Sequence, residues 1–249
     1  MRALLVLPTY NEIENVETVL RTLRAAAPDV DVLVVDDGSP DGTADVAEKL
    51  GEELGAIEVL RRPAKSGLGS AYRAGFRIGL SRGYGAMIEM DADLSHDPAV
   101  VPSLVGALGN GVELAIGSRY VPGGAIPDWT PLRRAISRFG NLYARFMLGL
   151  AVQDATAGFR AYTRHALQQI DLDSVRADGY GFQVEMAYFV QRNGGRIVEI
   201  PIAFRDRTLG HSKMSARIVV EALLLVTWWG VRDRARRIFR RRSAGSVPD

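Results

Sequence analysis

Residues 3–39 read ALLVLPTYNEIENVETVLRTLRAAAPDVDVLVVDDGS, and the fold class follows from them. Ala3–Leu7 is a continuous apolar run stopped by Pro8, as expected of a strand buried on both faces. From Glu12 to Ala27, apolar Ile13, Val16, Val19, Leu20 and Leu23 fall along one helical face. Val32–Val35 is a second apolar strand, ending at Asp36-Asp37-Gly38-Ser39, which is turn and helix-cap chemistry. Strand, helix and strand of these lengths make a βαβ unit, whose right-handed crossover sets the two strands parallel.

The alternation continues outward from that unit. Helices are predicted over Asp41–Leu54, Ser66–Arg82 and Pro98–Leu108, and strands over Ile57–Leu60, Ala86–Met90 and Leu114–Gly117. Such a series specifies an α/β protein with a mostly parallel sheet flanked by helices. From Pro122 the character changes. A Gly-Pro loop leads to a long basic amphipathic helix over Leu132–Leu150 and a polar insert at Asp154–Arg160. A helix at Gly179–Gln191, a strand at Ile197–Phe204 and a tail helix from near Ser215 complete the pattern. No internal repeat or linker divides the chain.

Composition bounds the chemistry. The chain has 249 residues, 47% of them apolar, which excludes a disordered or fibrous protein. It has no cysteine, so disulfide scaffolds, thiolate nucleophiles and Cys-ligated metals are excluded. The three histidines, His96, His165 and His211, are too dispersed for a histidine-rich metal site. No secretory signal and no run of about 20 apolar residues is evident. These features point to a reducing-compartment protein without a spanning helix.

The net charge of +2 conceals an asymmetry. Arg232 to Arg242 contains seven arginines and one aspartate, a local +6 that leaves −4 for the remainder. Just upstream, IVVEALLLVTWWGV (218–231) is apolar apart from Glu221 and Thr227. An apolar stretch, two tryptophans and an arginine run are the parts of an interfacial anchor on an anionic membrane. A core helix followed by a solvated basic tail is the alternative. No aromatic platform accompanies the arginines, so nucleic acid is not the expected partner.

Polar residues cluster where the strands end, which is where open α/β sheets bind ligands. Pro8-Thr9-Tyr10-Asn11-Glu12, Asp36-Asp37-Gly38-Ser39 and Asp91-Ala92-Asp93 follow the first, second and fourth predicted strands. Asp91 and Asp93 offer oxygen-only ligands of the kind that suit Mg²⁺ or Mn²⁺ bridging substrate phosphates. Lys65-Ser66-Gly67-Leu68-Gly69 lacks the Walker order, and GLGSAY (67–72) lacks the third small residue of a dinucleotide fingerprint. It reads as a tight turn opening a helix, excluding NAD and P-loop chemistry. Arg119, Arg133, Arg134, Arg207 and Lys213 are candidate phosphate or diphosphate clamps.

Together PTYNE, VDDGSPDGT, MDADLSHDP, GSRYVPGG, DATAGFRAY, GYGFQVEM and EIPIAFRDRTLGHSKMS run in order from about Leu4 to Ser215. The chain thereby resembles the polyprenyl (dolichyl) phosphate mannose synthases, inverting GT-A glycosyltransferases of family 2. The resemblance implies a Rossmann-like GT-A catalytic domain over 1–215, with an amphipathic, basic, membrane-associating segment over 216–249. It implies GDP-mannose as donor and a polyprenyl phosphate as acceptor; UDP-glucose is the alternative donor. Pro8, Tyr10, Glu12, Val35 and Asp37 would line the nucleotide pocket, with Ala92 beside it. Asp91 and Asp93 would hold Mg²⁺ or Mn²⁺ on the diphosphate; some relatives carry glutamine where this chain has Ser95. Arg119, Arg207 and Lys213 match basic positions around the donor, and Arg133 with Ser137 would hold the acceptor phosphate.

The implied chemistry is coherent. A phosphate monoester has a second pKa of about 6 and is a dianion at neutral pH, so it attacks without a general base. Asp93, Arg119, Arg133 and Asp154 are the expected catalytic groups. Asp154 and Glu185 are expected to orient sugar hydroxyls or the acceptor-side arginines rather than act as bases. Ile136, Phe139, Leu142, Tyr143, Phe146, Met147 and Leu150 would rest in the headgroup region, or else pack on the sheet or the tail helix. The expected location is the cytoplasmic face of a membrane, reached through amphipathic helices, the basic tail or a membrane-embedded partner.

Overall fold

The computed structural model describes residues 1–175, 177–206 and 223–232. The opening stretch forms β1 (Ala3–Thr9), α1 (Val16–Ala26) and β2 (Val30–Asp36), with β1 and β2 parallel from Ala3↔Val30 to Thr9↔Asp36. Helix α1 starts at Val16 and not at Glu12. Asn11 sits at φ 55° and the residues after it form a turn, so Ile13 stays 39% exposed and outside the core stripe. The alternation continues through α2 (Thr43–Leu54), β3 (Ile57–Arg61), α3 (Leu68–Ser81) and β4 (Ala86–Glu89). Then follow α4 (Val101–Gly106), β5 (Val112–Ser118) and α5 (Pro131–Leu148).

The polar insert is where the reading of the sequence falls short. It runs into a strand, β6 (Arg160–Thr163), and a short helix, α6 (Arg164–Gln168). β6 lies inside the sheet and pairs antiparallel with both β4 and β5. α7 (Gly179–Arg192) and β7 (Arg196–Pro201) follow. Among the described residues the strands make one sheet in the order β3-β2-β1-β4-β6-β5-β7. Every pairing except those of β6 is parallel. The chain reverses its direction of winding between β1 and β4, leaving a crevice beyond their carboxyl ends.

Both faces of the sheet are covered, which explains the unbroken apolar runs. Alternate residues of one strand divide between two cores. Leu4, Val6, Leu33 and Val35 join Tyr72, Phe76, Phe182 and Met186 from α3 and α7. Ala3, Leu5, Leu7, Val32 and Val34 join Val19, Leu20, Leu23 and Leu104 from α1 and α4. A one-residue slip of β1 would exchange the two sets.

α5 divides its apolar residues between the core and solvent. Thr130 caps its start, accepting from the Arg133 N–H at 3.3 Å, and Gly149 ends it at φ 66°. Ala144, Leu148 and Leu150 are buried in the first core, with Tyr143 and Met147 packed against it. Leu132, Ile136, Phe139, Leu142 and Phe146 face outward, 53–71% exposed. A helical segment at 223–232 lies against α5. Tyr143 Oη and Thr227 Oγ1 hydrogen-bond at 2.6 Å, and Trp229 stacks on Tyr188 with ring centroids 6.4 Å apart. Any Cβ at Gly230 would come within 2.7 Å of the Met147 carbonyl, so this approach requires glycine. Val226 and Trp229 are buried, while Leu224, Trp228 and Val231 are 57–66% exposed. The basic tail beyond Arg232 lies outside the described residues, as does most of the 216–249 segment.

Candidate active site

The ends of β1 and β2 build one wall of the crevice. Pro8 and Val35 are register partners, which sets them side by side at the strand ends. Asp36 is consumed by structure: it accepts from Thr9 Oγ1 at 2.9 Å, the Ser39 N–H at 2.9 Å and Ser39 Oγ at 2.5 Å. Asp37 faces the α3 side, paired with Arg62 at 3.0 Å and accepting from the Ser66 N–H at 3.1 Å. Lys65 Nζ lies 4.5 Å above the Tyr10 ring. The Lys65–Gly69 loop therefore borders the same pocket as Tyr10 and Asp37. Glu12 accepts from Asn15 Nδ2 at 2.9 Å, and its own N–H donates to Thr43 Oγ1.

The Gly67-Leu68-Gly69 turn is a docking surface for α7. Gly67 has φ 92°, a Cβ there would lie 2.5 Å from Asp178 Oδ2, and the Gly69 N–H donates to Asp178 Oδ1 at 3.1 Å. These are packing and backbone requirements, in accord with rejecting a dinucleotide loop.

Beyond β4 the DADLSH loop is tightly held. Leu94 adopts φ 62°, a conformation strained for a branched side chain and sustained only by its surroundings. Buried Asp93 accepts from the Ser95 N–H at 3.1 Å. Asp91 accepts from Tyr72 Oη at 3.2 Å, and its backbone N–H donates to His96 Nδ1 at 3.3 Å. His96 is buried against Phe159, with centroids 4.9 Å apart. Burial pushes its pKa down to about 4 against the pull of Asp93, so the ring is neutral and Nδ1 accepts. Burial and the carboxylate of Asp91 raise the Tyr72 phenol, which is thus a donor. Beneath them Glu89 is fully buried; desolvation pushes its carboxyl up to about 7, opposed by Arg160, Gln183 and Tyr162.

The loop fits a hard divalent cation shared with phosphate oxygens. Asp91 and Asp93 supply carboxylates, and Ser95 Oγ is buried without a hydrogen-bond partner among the described residues. No group of three or more His, Cys, Asp or Glu side chains able to cage a metal occurs among the described residues. A cation here would need a phosphate and waters to complete six oxygen ligands, as Mg²⁺ and Mn²⁺ do.

Arg119 and Asp154 form a buried ion pair beyond the end of β5. Arg119 Nε donates to Asp154 Oδ2 at 2.7 Å, Nη2 to Oδ1 at 2.6 Å, and the Arg119 N–H to Oδ2 at 3.0 Å. Burial opposes the charge on both groups. The mutual attraction wins, raising the arginine's pKa and holding the Asp154 carboxyl below its usual range. Asp154 is 0% exposed. Of the two roles expected for it, orienting a sugar hydroxyl or orienting an arginine, the geometry is that of the second: its carboxylate is committed to Arg119. Glu185 is likewise turned inward, accepting from the Ala177 N–H at 3.3 Å.

Three residues escaped the sequence reading. Asn141 is the buried polar node of α5: its Nδ2 donates to the Ser137 carbonyl at 3.1 Å and Thr156 Oγ1 at 3.2 Å, while its Oδ1 accepts from the Thr156 N–H. Arg160 is fully buried and ties down the carbonyls of Ala155, Ala157 and Gln183 at 2.6–2.7 Å. Trp129 lies under Arg133, whose guanidinium carbon sits 4.1 Å from the ring centroid. An asparagine on an otherwise amphipathic inner face was the one visible signal.

Between α5, α7 and residues 223–226 lies a cavity of about 250 Å³. Arg119, Arg133, Ser137 and Tyr180 contribute its polar groups; Ile136, Tyr143, Ala144, Val184, Leu223 and Val226 make most of the remainder apolar. Arg133 pairs with Asp206 at 2.7 Å on the part-exposed side. Thr156, another lining residue, leads to Gly158, where a Cβ would lie 3.7 Å from Asp91 Oδ2. One loop thus joins the cavity to the carboxylate pair. Arg207 and Lys213 lie outside the described residues.

The family model described as Glycosyl transferase family 2 matches residues 4–171. The chain is 53% identical over 234 residues to an undecaprenyl-phosphate mannosyltransferase of Micrococcus luteus, covering 94% of this chain and 96% of that protein. It is 47% identical over 243 residues to a polyprenol monophosphomannose synthase of Mycolicibacterium smegmatis, covering 96% and 92%. In fold it is similar to glucosyl-3-phosphoglycerate synthase of Mycobacterium tuberculosis in complex with Mn²⁺ and UDP, with TM-score 0.63, 22% identity and coverage of 90% and 77%. It is also similar to a mannosyltransferase of Pyrobaculum calidifontis in complex with GDP-Man and Mn²⁺, with TM-score 0.59, 15% identity and coverage of 99% and 76%.

Proposed function

The chain belongs to glycosyl transferase family 2, and from that premise we propose that it is an enzyme transferring mannose to the phosphate of a polyprenyl monophosphate. The observation that carries this reading is the apolar cavity with Arg119 and Arg133 among its lining, joined by one loop to Asp91 and Asp93. A lipid phosphate needs both an apolar slot and cations; a soluble acceptor would not need the slot.

The donor is GDP-mannose. Pro8, Tyr10, Glu12, Val35, Asp37 and Ala92 line its nucleotide pocket, and Arg207 and Lys213 are the further cations for the diphosphate. A Mg²⁺ or Mn²⁺ ion on Asp91 and Asp93 would neutralise the charge that grows on the departing diphosphate. Arg119 is already oriented by Asp154 and Thr156, so it offers pre-set N–H donors rather than a net positive charge. Arg133 and Ser137 hold the acceptor phosphate. A dianionic phosphate oxygen attacks the anomeric carbon opposite the leaving group, and the configuration inverts. No base is required, in keeping with the commitment of Asp154 to Arg119.

The acceptor's lipid places the reaction at a bilayer surface. No helix among the described residues is long and apolar enough to cross a membrane. Both α5 and 223–232 instead carry outward apolar residues. Arg134, Arg138, Arg145 and Arg232 accompany them, suiting the headgroup region of an anionic cytoplasmic leaflet.

Incubation with radiolabelled GDP-mannose, Mg²⁺ or Mn²⁺ and a polyprenyl phosphate should yield lipid-linked mannose, and Asp93→Ala should abolish it. Failure of the unaltered protein to label the lipid would refute the reading; faster labelling from UDP-glucose would reassign the donor.

A further inference from the structure

The GLGSAY segment contributes more than a turn. Its tyrosine, Tyr72, is fully buried on α3 and stacked between Phe76 and Phe182, with centroids 6.1 and 5.9 Å away. The Phe182 stack is nearly parallel, at 12°. Gly69 brings α3 close enough to α7 for that stack, since a Cβ there would lie 2.9 Å from the Phe182 ring. The ring has no room to shift, so its hydroxyl occupies a fixed point, 3.2 Å from Asp91 Oδ1.

A cation binds more tightly to a carboxylate whose plane is already set, and the fixed Tyr72 hydroxyl is one of the groups that hold Asp91. We infer that Tyr72 is a positioning residue for Asp91, setting the carboxylate plane before a divalent cation arrives. The inference rests on the reading of Asp91 as a metal ligand. Partners that orient metal ligands in this way typically contribute about 10–100-fold to metal affinity. The stacking explains why tyrosine serves here better than a flexible donor. Serine could not span the distance from α3, and glutamine would bring its own rotamer freedom.

Tyr72→Phe removes one oxygen and retains the stack. Mn²⁺ would be titrated into the full chain with GDP present, free Mn²⁺ being followed by its paramagnetic resonance signal, so that no sugar transfer enters the readout. The expected result is Mn²⁺ affinity weakened at least about tenfold. Tyr162→Phe is the control. This tyrosine is equally buried and packs edge-on to Phe76, but its hydroxyl lies beside Glu89. It should leave Mn²⁺ affinity unchanged. Equal Mn²⁺ affinity in the unaltered protein and Tyr72→Phe overturns the inference, as does equal weakening by Tyr162→Phe, which would indicate a general loosening of the core. If the unaltered protein with GDP binds no Mn²⁺, the metal reading itself falls.

Discussion

The Arg119–Asp154 pair makes a sharp prediction, because both side chains are almost wholly out of water, at 4% and 0% exposure. Asp154→Asn keeps the shape and one acceptor but leaves the guanidinium without its counter-charge. Removing one partner of such a pair costs about 3–5 kcal/mol. At about 2–4 °C per kcal/mol for a chain of this size, the thermal midpoint should fall by roughly 6–20 °C. Arg119→Met should cost a similar amount, for the mirrored reason. The double variant buries neither charge and should recover part of the loss. A double-mutant cycle from urea unfolding should therefore give a coupling of about 2–3 kcal/mol. The pH dependence has a definite sign. The folded-state pKa of Asp154 is lowered, so the stability it confers is present above its unfolded pKa and lost as pH falls through the folded one. The gap between the parent and Asp154→Asn should then narrow in acid. Additivity of the single variants within about 0.5 kcal/mol would refute the buried-pair argument. Loss or displacement, in Asp154→Asn, of an acidic limb seen in the parent's pH–rate profile would refute the base-free mechanism.

Arg133→Gln should raise the KM for polyprenyl phosphate by about 10–100-fold, the loss of a charge-assisted contact, while leaving the KM for GDP-mannose within about twofold; an unchanged acceptor KM removes Arg133 from the phosphate site. Replacing Phe139, Phe146 and Trp228 together with serine should abolish sedimentation with anionic vesicles. Because these residues are 57–71% exposed, the unfolding midpoint should hardly move; continued vesicle binding would place the membrane contact elsewhere. Glu89→Gln should stabilise the protein at pH 8 by up to about 3 kcal/mol. Its carboxyl titrates near 7 when folded against 4.5 ordinarily, so the cost of ionising it is absent in acid and complete above neutrality. Equal stability of parent and variant across that range would mean that the pocket solvates the charge.

Most of the fold was legible because its signals are local. Apolar runs such as Leu4–Leu7 need burial on both faces, and the strand-end acids mark the crevice whatever the helices do. β6 was illegible for a physical reason. Arg160 at its head reads as surface, and only the converging carbonyls of Ala155, Ala157 and Gln183, two of them from its own loop and one from α7, make a buried arginine tolerable. Which arginine Asp154 would meet was likewise hidden, because Arg119, just past the end of β5, is remote from it in sequence. On α5 the apolar pattern specified amphipathicity without saying what the apolar residues touch.

The sequence alone therefore determined the parallel α/β architecture, the strand ends that bear the site and the acid pair suited to a cation. These depend on period, turn chemistry and order along the chain. Tertiary structure decided which polar groups reach solvent. It turned Asp154 inward onto Arg119, set Tyr72 against Asp91, and divided α5 between a core-facing and an outward-facing stripe. Those outcomes depend on contacts between residues remote in sequence, and no local period encodes them.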